Sequence, residues 1–352
     1  MTVAIYLTDY NYAMDRYPTD NLPGLLTRAL QRRQPLLAEP HHSALRLFNG
    51  FYEGFPSLVV DLYARTLVVF THKLGSADSL ALTQMVRDVV LSQLDWIGCV
   101  LLKQRSSMDP AAKQGGVVHG SRPDTSIMEN GVRYALDLRL NQDAGFYLDT
   151  RGLRAWLKEN CGDKTVLNTF AYTGSLGVAA LAGGAARVTQ IDRSARFLDM
   201  AWASLRLNEL EAAKMKTSAV DFFVAAGQMR RRRETFDIVI IDPPFFSITP
   251  RGQVDQVKET TRLINKARPL VAHGGYLVVV NNALFLSGQE YLRELENLAE
   301  NGLLAIEHIL QVGEDVTGYP DTVINQPPVD PTPFNHPTKM VIIKVKHKTG
   351  QS

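Results

Sequence analysis

Apolar and polar positions alternate in short runs along most of the chain, and the runs change character near Ser43 and again near Thr125. An irregular lead is followed by a short helix around Leu22–Arg33, which ends in QRRQP with Pro35 as a stop. ALRLFNG and PSLVVDLYARTLVVFTHK then supply strand-like runs, the second holding two strands about a turn. A helix over about Ser79–Leu94 and a strand at Gly98–Lys103 complete a small α/β set. Arg105–Asp124 is rich in Gly and Pro and is expected to be a long loop, and SIMENGVRYALDL behind it carries an Asn130-Gly131 hairpin signal. From there strand and helix alternate: TVLNTF, RVTQID, TSAVD, FDIVIID and YLVVVNN are strands separated by helices, one of them near Asp255–Ala272 and a last one near Gly288–Asn301. Such alternation predicts a mostly parallel sheet covered on both faces. LLAIEHILQV and KMVIIKVKH have no helix between them and are expected to pair antiparallel at one edge.

The expected organisation is therefore three-part: a lead and helix over 1–40, a small α/β domain over 41–125, and a Rossmann-like α/β domain over 126–352. A length of 352 residues exceeds one ordinary core and agrees with more than one domain. Apolar content of 45% with 21% charged residues is that of a globular chain, and no apolar run approaches the roughly 20 residues needed to span a bilayer. The first residues lack a basic start followed by an apolar stretch, so no secretion signal is read. Two distant cysteines, Cys99 and Cys161, argue against a disulfide framework and suit a reducing cytoplasm. A net charge of +2 permits a nucleic-acid partner without demanding one.

The first strand–helix unit of the large domain, Val166–Asp192, offers a cofactor site. Its strand leads into the turn Ala171-Tyr172-Thr173-Gly174-Ser175, and its second strand ends on Asp192, 24 positions after Asn168. Ligands of open α/β sheets bind at the carboxyl ends of strands at this first crossover, where a carboxylate can accept ribose hydroxyls. A dinucleotide requires G-x-G-x-x-G, so that backbone amides reach the pyrophosphate, and that fingerprint is absent. S-adenosylmethionine carries no phosphate, and the single glycine Gly174 suffices for it. Asp192 then holds the ribose. Asp221, at the end of the third strand, stands near the adenine edge or caps a helix; both readings stay open.

The fourth strand ends in Asp242-Pro243-Pro244-Phe245-Phe246. Two prolines remove two backbone donors and fix φ, which leaves carbonyl oxygens beside a carboxylate. This acceptor-only surface can hold the N–H edge of a base, and a ring beside it can stack on that base for about 1–3 kcal/mol.

These stretches together resemble the class I S-adenosylmethionine-dependent methyltransferases of bacterial large-subunit ribosomal RNA, the RlmI and RlmK group. ALRLFNGFYEGFPSLVVDLYARTLVV is similar to that family's central domain, NQDAGFYLDTR to its segment against the cofactor, NTFAYTGSLGVAAL to its cofactor loop, and DPPFFS to its Asp-Pro-Pro-x-Phe-Ser motif. The likeness runs from about Ser43 to the C-terminus. It implies a methyltransferase acting on RNA, with Tyr147 lining the cofactor pocket, Asp149 and Arg151 bracing it, and Asn168, Phe170, Ala171, Tyr172 and Gly174 forming the loop around it. Asp242, Pro243, Pro244 and Phe246 are then the catalytic group. Phe245 stands where the family has Lys or Thr, as a substrate-facing departure.

The same motifs bear on the atom methylated. C5 of a pyrimidine becomes nucleophilic only after a thiolate adds to the ring. Some relatives show Ser-Cys-Ser after the fifth strand, whereas VVVNNALF places Asn281 and Asn282 there. Neither cysteine is expected at the site, so the covalent route to a ring carbon is disfavoured; the paired asparagines resemble the RlmK-type version of the motif, which implies a guanine nitrogen as the target. Asn281 and Asn282 are candidate contacts to base or phosphate. Phe334, in the loop QPPVDPTPFNHPTK, is a candidate for the substrate entrance. The run Arg230–Arg233 reads as a solvated helix end, where cations complement the dipole, or as a phosphate contact. No metal is expected. A non-catalytic RNA-binding or assembly protein and a dinucleotide oxidoreductase are the competing functions.

Overall fold

The structure is a computed structural model, described here over residues 21–249, 252–257 and 259–347, with the side chains of 246–249 and 252–254 left aside. The first half of the expected N-terminal lead lies outside the described residues. Two compact units divide the chain: one runs to Gly131 and takes in Leu136–Leu148 and Gly313–Pro328, and the other holds Val132–Ala135, Asp149–Val312 and the chain from Val329 onward. This division differs from the three-part expectation, because the first helix joins the small unit and a segment after residue 312 returns to it.

The small unit is built on a five-stranded sheet in the order β1-β2-β3-β4-β5, formed by β1 (Ala44–Asn49), β2 (Leu58–Tyr63), β3 (Thr66–Thr71), β4 (Cys99–Gln104) and β5 (Gly116–Gly120). Only β3 and β4 pair parallel, and the helix between them, α2 (Ser76–Leu91), makes the crossover. Helix α1 (Leu22–Arg33) starts with Pro23 in its first turn and buries Leu22, Leu26, Ala29 and Leu30 on one stripe, with cations in its last turn. That stripe joins Leu45, Leu47, Val60, Leu67, Val69, Leu82 and Val86 in one core. β5 occupies the segment expected as a loop, preceded by a helical turn at Pro110–Gln114. Four of its five residues are exposed, so no apolar alternation marks it; main-chain pairing with β4 holds this edge, and Val118 packs against the core.

A fully buried ion pair organises this unit. Arg33 donates to both carboxylate oxygens of Glu53, each at 3.0 Å, and also to the carbonyls of Ala29 and Asp315. Glu53 further accepts from the Asn49 amide at 2.7 Å and the Thr322 hydroxyl at 2.6 Å. A short helix–strand connection and the returning segment 313–328 thus close on one charge pair.

The large unit carries a seven-stranded sheet in the order β10-β9-β8-β11-β14-β16-β15. In chain order its elements are α3 (Arg151–Asn160), β8 (Thr165–Thr169), α4 (Ser175–Ala182), β9 (Arg187–Asp192), α5 (Ala195–Leu207), β10 (Met215–Ala219), α6 (Phe222–Arg231), β11 (Phe236–Ile241), β12 (Phe246–Thr249), β13 (Gly252–Asp255), α7 (Thr260–Ala267), β14 (Val271–Asn281), α8 (Gly288–Ala299), β15 (Leu304–Leu310) and β16 (Lys339–Val345). β6 (Ser126–Glu129) and β7 (Val132–Ala135) precede them. Pairing is parallel from β10 through β14 and antiparallel at β14–β16 and β16–β15, so the expected antiparallel edge is present. The strand order reverses between β8 and β11, which opens a crevice at their carboxyl ends. Val166, Leu167, Ile238, Val239 and Ile240 are completely buried, as strands covered on both faces must be.

The helix expected over Asp255–Ala272 is shorter: β13 takes its start, and α7 begins only at Thr260. The antiparallel hairpin β12–β13 directly follows the Asp-Pro-Pro motif. At the far end of α6, Arg230 and Arg231 lie in the last turn, and Arg233 adopts a left-handed φ of 56° that ends the helix.

Removing Glu53 leaves Arg33 charged and buried without its partner. Glu53→Ala should therefore cost about 3–5 kcal/mol in urea unfolding. Asp321→Ala, which breaks the solvent-exposed pair with Arg32, should cost under about 1 kcal/mol.

Candidate active site

The turn after β8 is bent by two non-glycine residues in the left-handed region, Phe170 at φ 54° and Tyr172 at φ 51°. Each such residue stores about 1–3 kcal/mol, and a surrounding network holds it in place. Ala171 N–H donates to the Ile191 carbonyl at 2.8 Å, and Tyr172 N–H donates to the Asp192 carboxylate at 2.9 Å. The other oxygen of Asp192 accepts from Ser194 N–H at 2.9 Å. Asp192 thus fixes both the loop it faces and the start of α5, and it stays half-buried. Rings close the sides: Tyr172 packs edge-on to Phe197 at 4.6 Å, and Phe170 lies 4.9 Å from Phe222.

Gly174 caps α4 with φ 76°. A Cβ there would lie 2.8 Å from Gln190 Oε1 and closer still to Ala201, so this backbone approaches β9 and α5 as only glycine can. Gly177, one turn on, meets the same Gln190 side chain. Gln190 is fully buried and was not among the expected site residues. It also corrects the expectation for Asn168. That asparagine is wholly buried within β8, and its amide donates to Gln190 Oε1 at 3.1 Å, so it supports the glycine turn from beneath instead of facing a ligand. Its own Oδ1 has no partner.

Asp221 caps α6, accepting from Phe223 N–H at 2.9 Å, as the cap reading required. Half-buried at the end of β10, it keeps a second oxygen at the same sheet edge as Asp192. Arg151 opens α3. Asp149, just before it, accepts from the Thr338 hydroxyl at 2.6 Å. Tyr147 belongs to the small unit, is 48% exposed, and donates to Asp143 at 3.1 Å.

Asp242 follows β11 at the carboxyl edge and is half-buried. Burial, with the Asp149 carboxylate as a second cause, pushes its pKa up to about 7. Among the described residues no donor reaches its carboxylate. Pro243 is buried, whereas Pro244 and Phe245 are exposed. The side chain of Phe246, expected to stack, lies outside the described residues.

The Pro243 carbonyl is already engaged: the Gln256 side-chain amide donates to it. Gln256 accepts from Asn282 N–H at 2.5 Å through Oε1, and its backbone N–H donates to the Phe245 carbonyl at 3.1 Å. Asn281 Nδ2 donates to the Gln256 carbonyl at 2.8 Å. One buried glutamine therefore joins the segments after β11, β13 and β14. Its only sequence mark is that it ends the insertion behind the motif.

Two expectations for the substrate side are corrected. Asn281 is 1% exposed; its amide is shared between Gln256 and Thr260, and its oxygen accepts from Ala283 N–H, which leaves it nothing for a ligand. Phe334 is 3% exposed and packs 5.8 Å from the Tyr291 ring in the core, so it cannot line an entrance. Asn282 is exposed and stays available. Lys339, fully buried, donates to the carbonyls of Ala283 at 2.9 Å and Pro337 at 2.7 Å. Burial lowers its pKa to about 8.

A family profile described as S-adenosylmethionine-dependent methyltransferase matches residues 94–323. The ribosomal RNA large subunit methyltransferase I of Aeromonas salmonicida is 31% identical over 279 residues, which cover 76% of this chain and 68% of that protein. The protein of the same name in Shewanella denitrificans is 32% identical, with 70% and 61% covered. The chain belongs to the S-adenosylmethionine-dependent methyltransferase family. It spans about 61–68% of the length of these relatives. A methyltransferase of Streptococcus mutans superposes with a TM-score of 0.79 at 22% identity, covering 94% of this chain and 82% of the other, which shows the shared fold.

Membership sets aside a dinucleotide as the cofactor, in agreement with the missing glycine fingerprint. The bent turn, the Gly174 approach that a Cβ would fill, and the acids ending β9 and β10 fit the family's cofactor at the carboxyl edge. Among the described residues no helix is long and apolar enough to cross a membrane, and no group of three acidic, His or Cys side chains could hold a metal.

Gly174→Ala in this methyltransferase should weaken S-adenosylmethionine binding about tenfold or more by calorimetry, the equivalent of the ~1–3 kcal/mol strain at a left-handed φ. Gln256→Ala should leave that affinity within about twofold and lower methyl transfer roughly a hundredfold, since a misplacement of about 1 Å is enough for such a loss.

Proposed function

We propose that this methyltransferase modifies a base nitrogen of large-subunit ribosomal RNA in the cytoplasm, with guanine as the favoured base. S-adenosylmethionine supplies the electrophilic methyl group when bound. The observation that carries the reading is Asp242: a half-buried carboxyl at the carboxyl edge of β11 with a pKa near 7. Such a group takes up a proton from a base N–H at physiological pH, which general-base catalysis requires. The names of the curated relatives support large-subunit ribosomal RNA as the substrate.

The thiols speak against the covalent route to a ring carbon. Cys161 is buried beyond the end of α3, ahead of β8, and burial pushes its thiol up to about 12. Cys99 lies buried in β4 of the small unit, its pKa also raised by burial, with the Asp124 carboxylate as a second cause. A nucleophilic thiolate would need the opposite shift. A base nitrogen already has or gains a lone pair, and it requires alignment and a proton acceptor. In this reading Asp242 accepts the proton, the exposed Pro244 and Phe245 border the base, and Asn282 offers its amide. Asp149, Arg151, Phe170, Ala171, Tyr172, Gly174, Asp192 and Asp221 hold the cofactor side, and the small unit adds RNA contacts.

The test is transfer of labelled methyl to ribosomal RNA from a strain lacking the gene, followed by mapping of the modified nucleotide. A product at a ring carbon, or no labelled RNA, defeats the proposal. Asp242→Asn should lower transfer about 10²–10⁴-fold, and the parent's rate should rise as pH passes about 7. Stability moves the opposite way. An acid whose folded pKa is raised stabilises the fold fully below its unfolded value, about 4, and that contribution is lost as pH rises through about 7. Asp242→Asn should therefore raise Tm at pH 8, with the difference closing toward pH 4.

A further inference from the structure

We propose that the groove between α6 and α7 is a track for the phosphodiester backbone of single-stranded RNA flanking the target base. The inference rests on the RNA reading above and adds a second contact region to it. A recess of about 400 Å³ is lined by Phe223, Gly227 and Arg231 of α6 and by Arg262 and Lys266 of α7. A second recess of about 560 Å³ shares Arg262 and Lys266 and continues along α7 past Glu259. The first is the furrow between the two helices, and the Arg262 and Lys266 side chains border both recesses.

The recess between the helices is lined by three cations and no acid: of the acids beside it, Glu259 pairs with Arg262 at 2.8 Å and Glu294 accepts from the Thr261 N–H at 3.0 Å and its hydroxyl at 2.6 Å. Among the described residues no acid pairs with Arg231 or Lys266. Both are exposed, and Gly227 keeps the floor open beside Arg231. The Arg262 guanidinium lies over the Phe223 ring at 5.4 Å, which presents a cation on an aromatic surface. Grooves that follow a single strand combine these two elements: cations for phosphates and an aromatic face for a base.

Its direction ties it to the active site. Phe223 is in the first turn of α6, two residues after Asp221 at the sheet's carboxyl edge. Arg262 is in the first turn of α7, which begins where Thr260 bonds to Gln256 and Asn281. Arg231 and Lys266 lie in the last turns of the same helices. From Phe223 to Arg231 the furrow covers eight residues of helix, about 12 Å at 1.5 Å per residue. A strand whose base is held at Asp242 thus meets a cationic furrow that starts at that edge and runs away from it. Arg231 alone of the four-arginine run lines this recess.

The test measures binding of a fluorescent oligouridylate by anisotropy between about 50 and 200 mM potassium chloride. In Arg231→Gln/Lys266→Gln, the slope of log affinity against log salt should flatten by about 1.4, since each lost phosphate contact on a single strand removes about 0.7. Affinity at low salt should fall at least about tenfold over the two contacts. Phe223→Ala should weaken binding without changing the slope. S-adenosylmethionine binding and Tm should match the parent in the double variant. An unchanged slope and affinity in that folded variant overturns the track. Competition by polyglutamate as effective as by unlabelled oligouridylate also overturns it, because the furrow would then read charge alone. The two proposals fail differently. Labelled methyl reaching ribosomal RNA together with an unchanged variant slope defeats only the track; a parent chain that neither binds nor methylates RNA defeats both.

Discussion

The parallel pairing of β8 with β11, Asn168 against Ile240 and Thr169 against Ile241, is the constraint on which the site depends. Parallel neighbours end at the same edge, and at this pair the strand order reverses, so the helices that follow diverge and leave a crevice. The bent cofactor turn emerges from one strand and the Asp-Pro-Pro motif from the other. The Thr169 hydroxyl donates to the Ile240 carbonyl at 2.7 Å and pins the two ends together. The bent turn and the Asp-Pro-Pro motif are thereby set side by side by main-chain register.

Above that edge the segments are irregular and lose sheet pairing, so each buried polar group needs a partner from a side chain. Gln256, Asn281 and Lys339 supply them. Gln256 bonds to Pro243 and to the Asn282 N–H, Asn281 bonds to the Gln256 carbonyl, and Lys339 holds the carbonyls of Ala283 and Pro337. Thr338, next in the chain, then reaches Asp149, whose charge acts on Asp242. Hydrogen bonds and the Thr338–Lys339 step thus connect the loop after β14 to the charge beside Asp242. Prolines that remove donors at positions 243 and 244 make such a frame necessary, because they cannot brace the loop through their own N–H groups.

What could be read from the amino-acid sequence follows from this division. Strand–helix alternation, the glycine turn and the acids ending β9, β10 and β11 are local signals, and they place the sheet and its carboxyl edge. β5 carries no apolar alternation, since it is an exposed edge, and the alternation Phe-Ser-Ile-Thr of β12 is only four residues long; their pairing is visible only in three dimensions. The polar residues Asn168 and Asn281 looked like ligands by position, yet both are buried and engaged with neighbours distant in sequence. Gln190 and Gln256 are the partners in question. A residue type that serves equally as ligand or brace gives no local sign of which it is, and only the donors and acceptors around it decide.

The same argument separates the three aspartates at the strand ends. Asp192 receives two backbone N–H groups and Asp221 one, and each fixes the turn or helix that follows it. The residue after Asp242 is a proline, and so is the next, so neither can offer a backbone N–H as Ser194 does to Asp192 or Phe223 to Asp221. Its carboxylate is left with burial and a neighbouring negative charge, the two influences that favour the protonated form. The Pro-Pro pair therefore does more than stop a strand. By withholding donors from its own aspartate, it sets Asp242 apart from the two aspartates that organise backbone on this edge, and burial then pushes its carboxyl up to about 7.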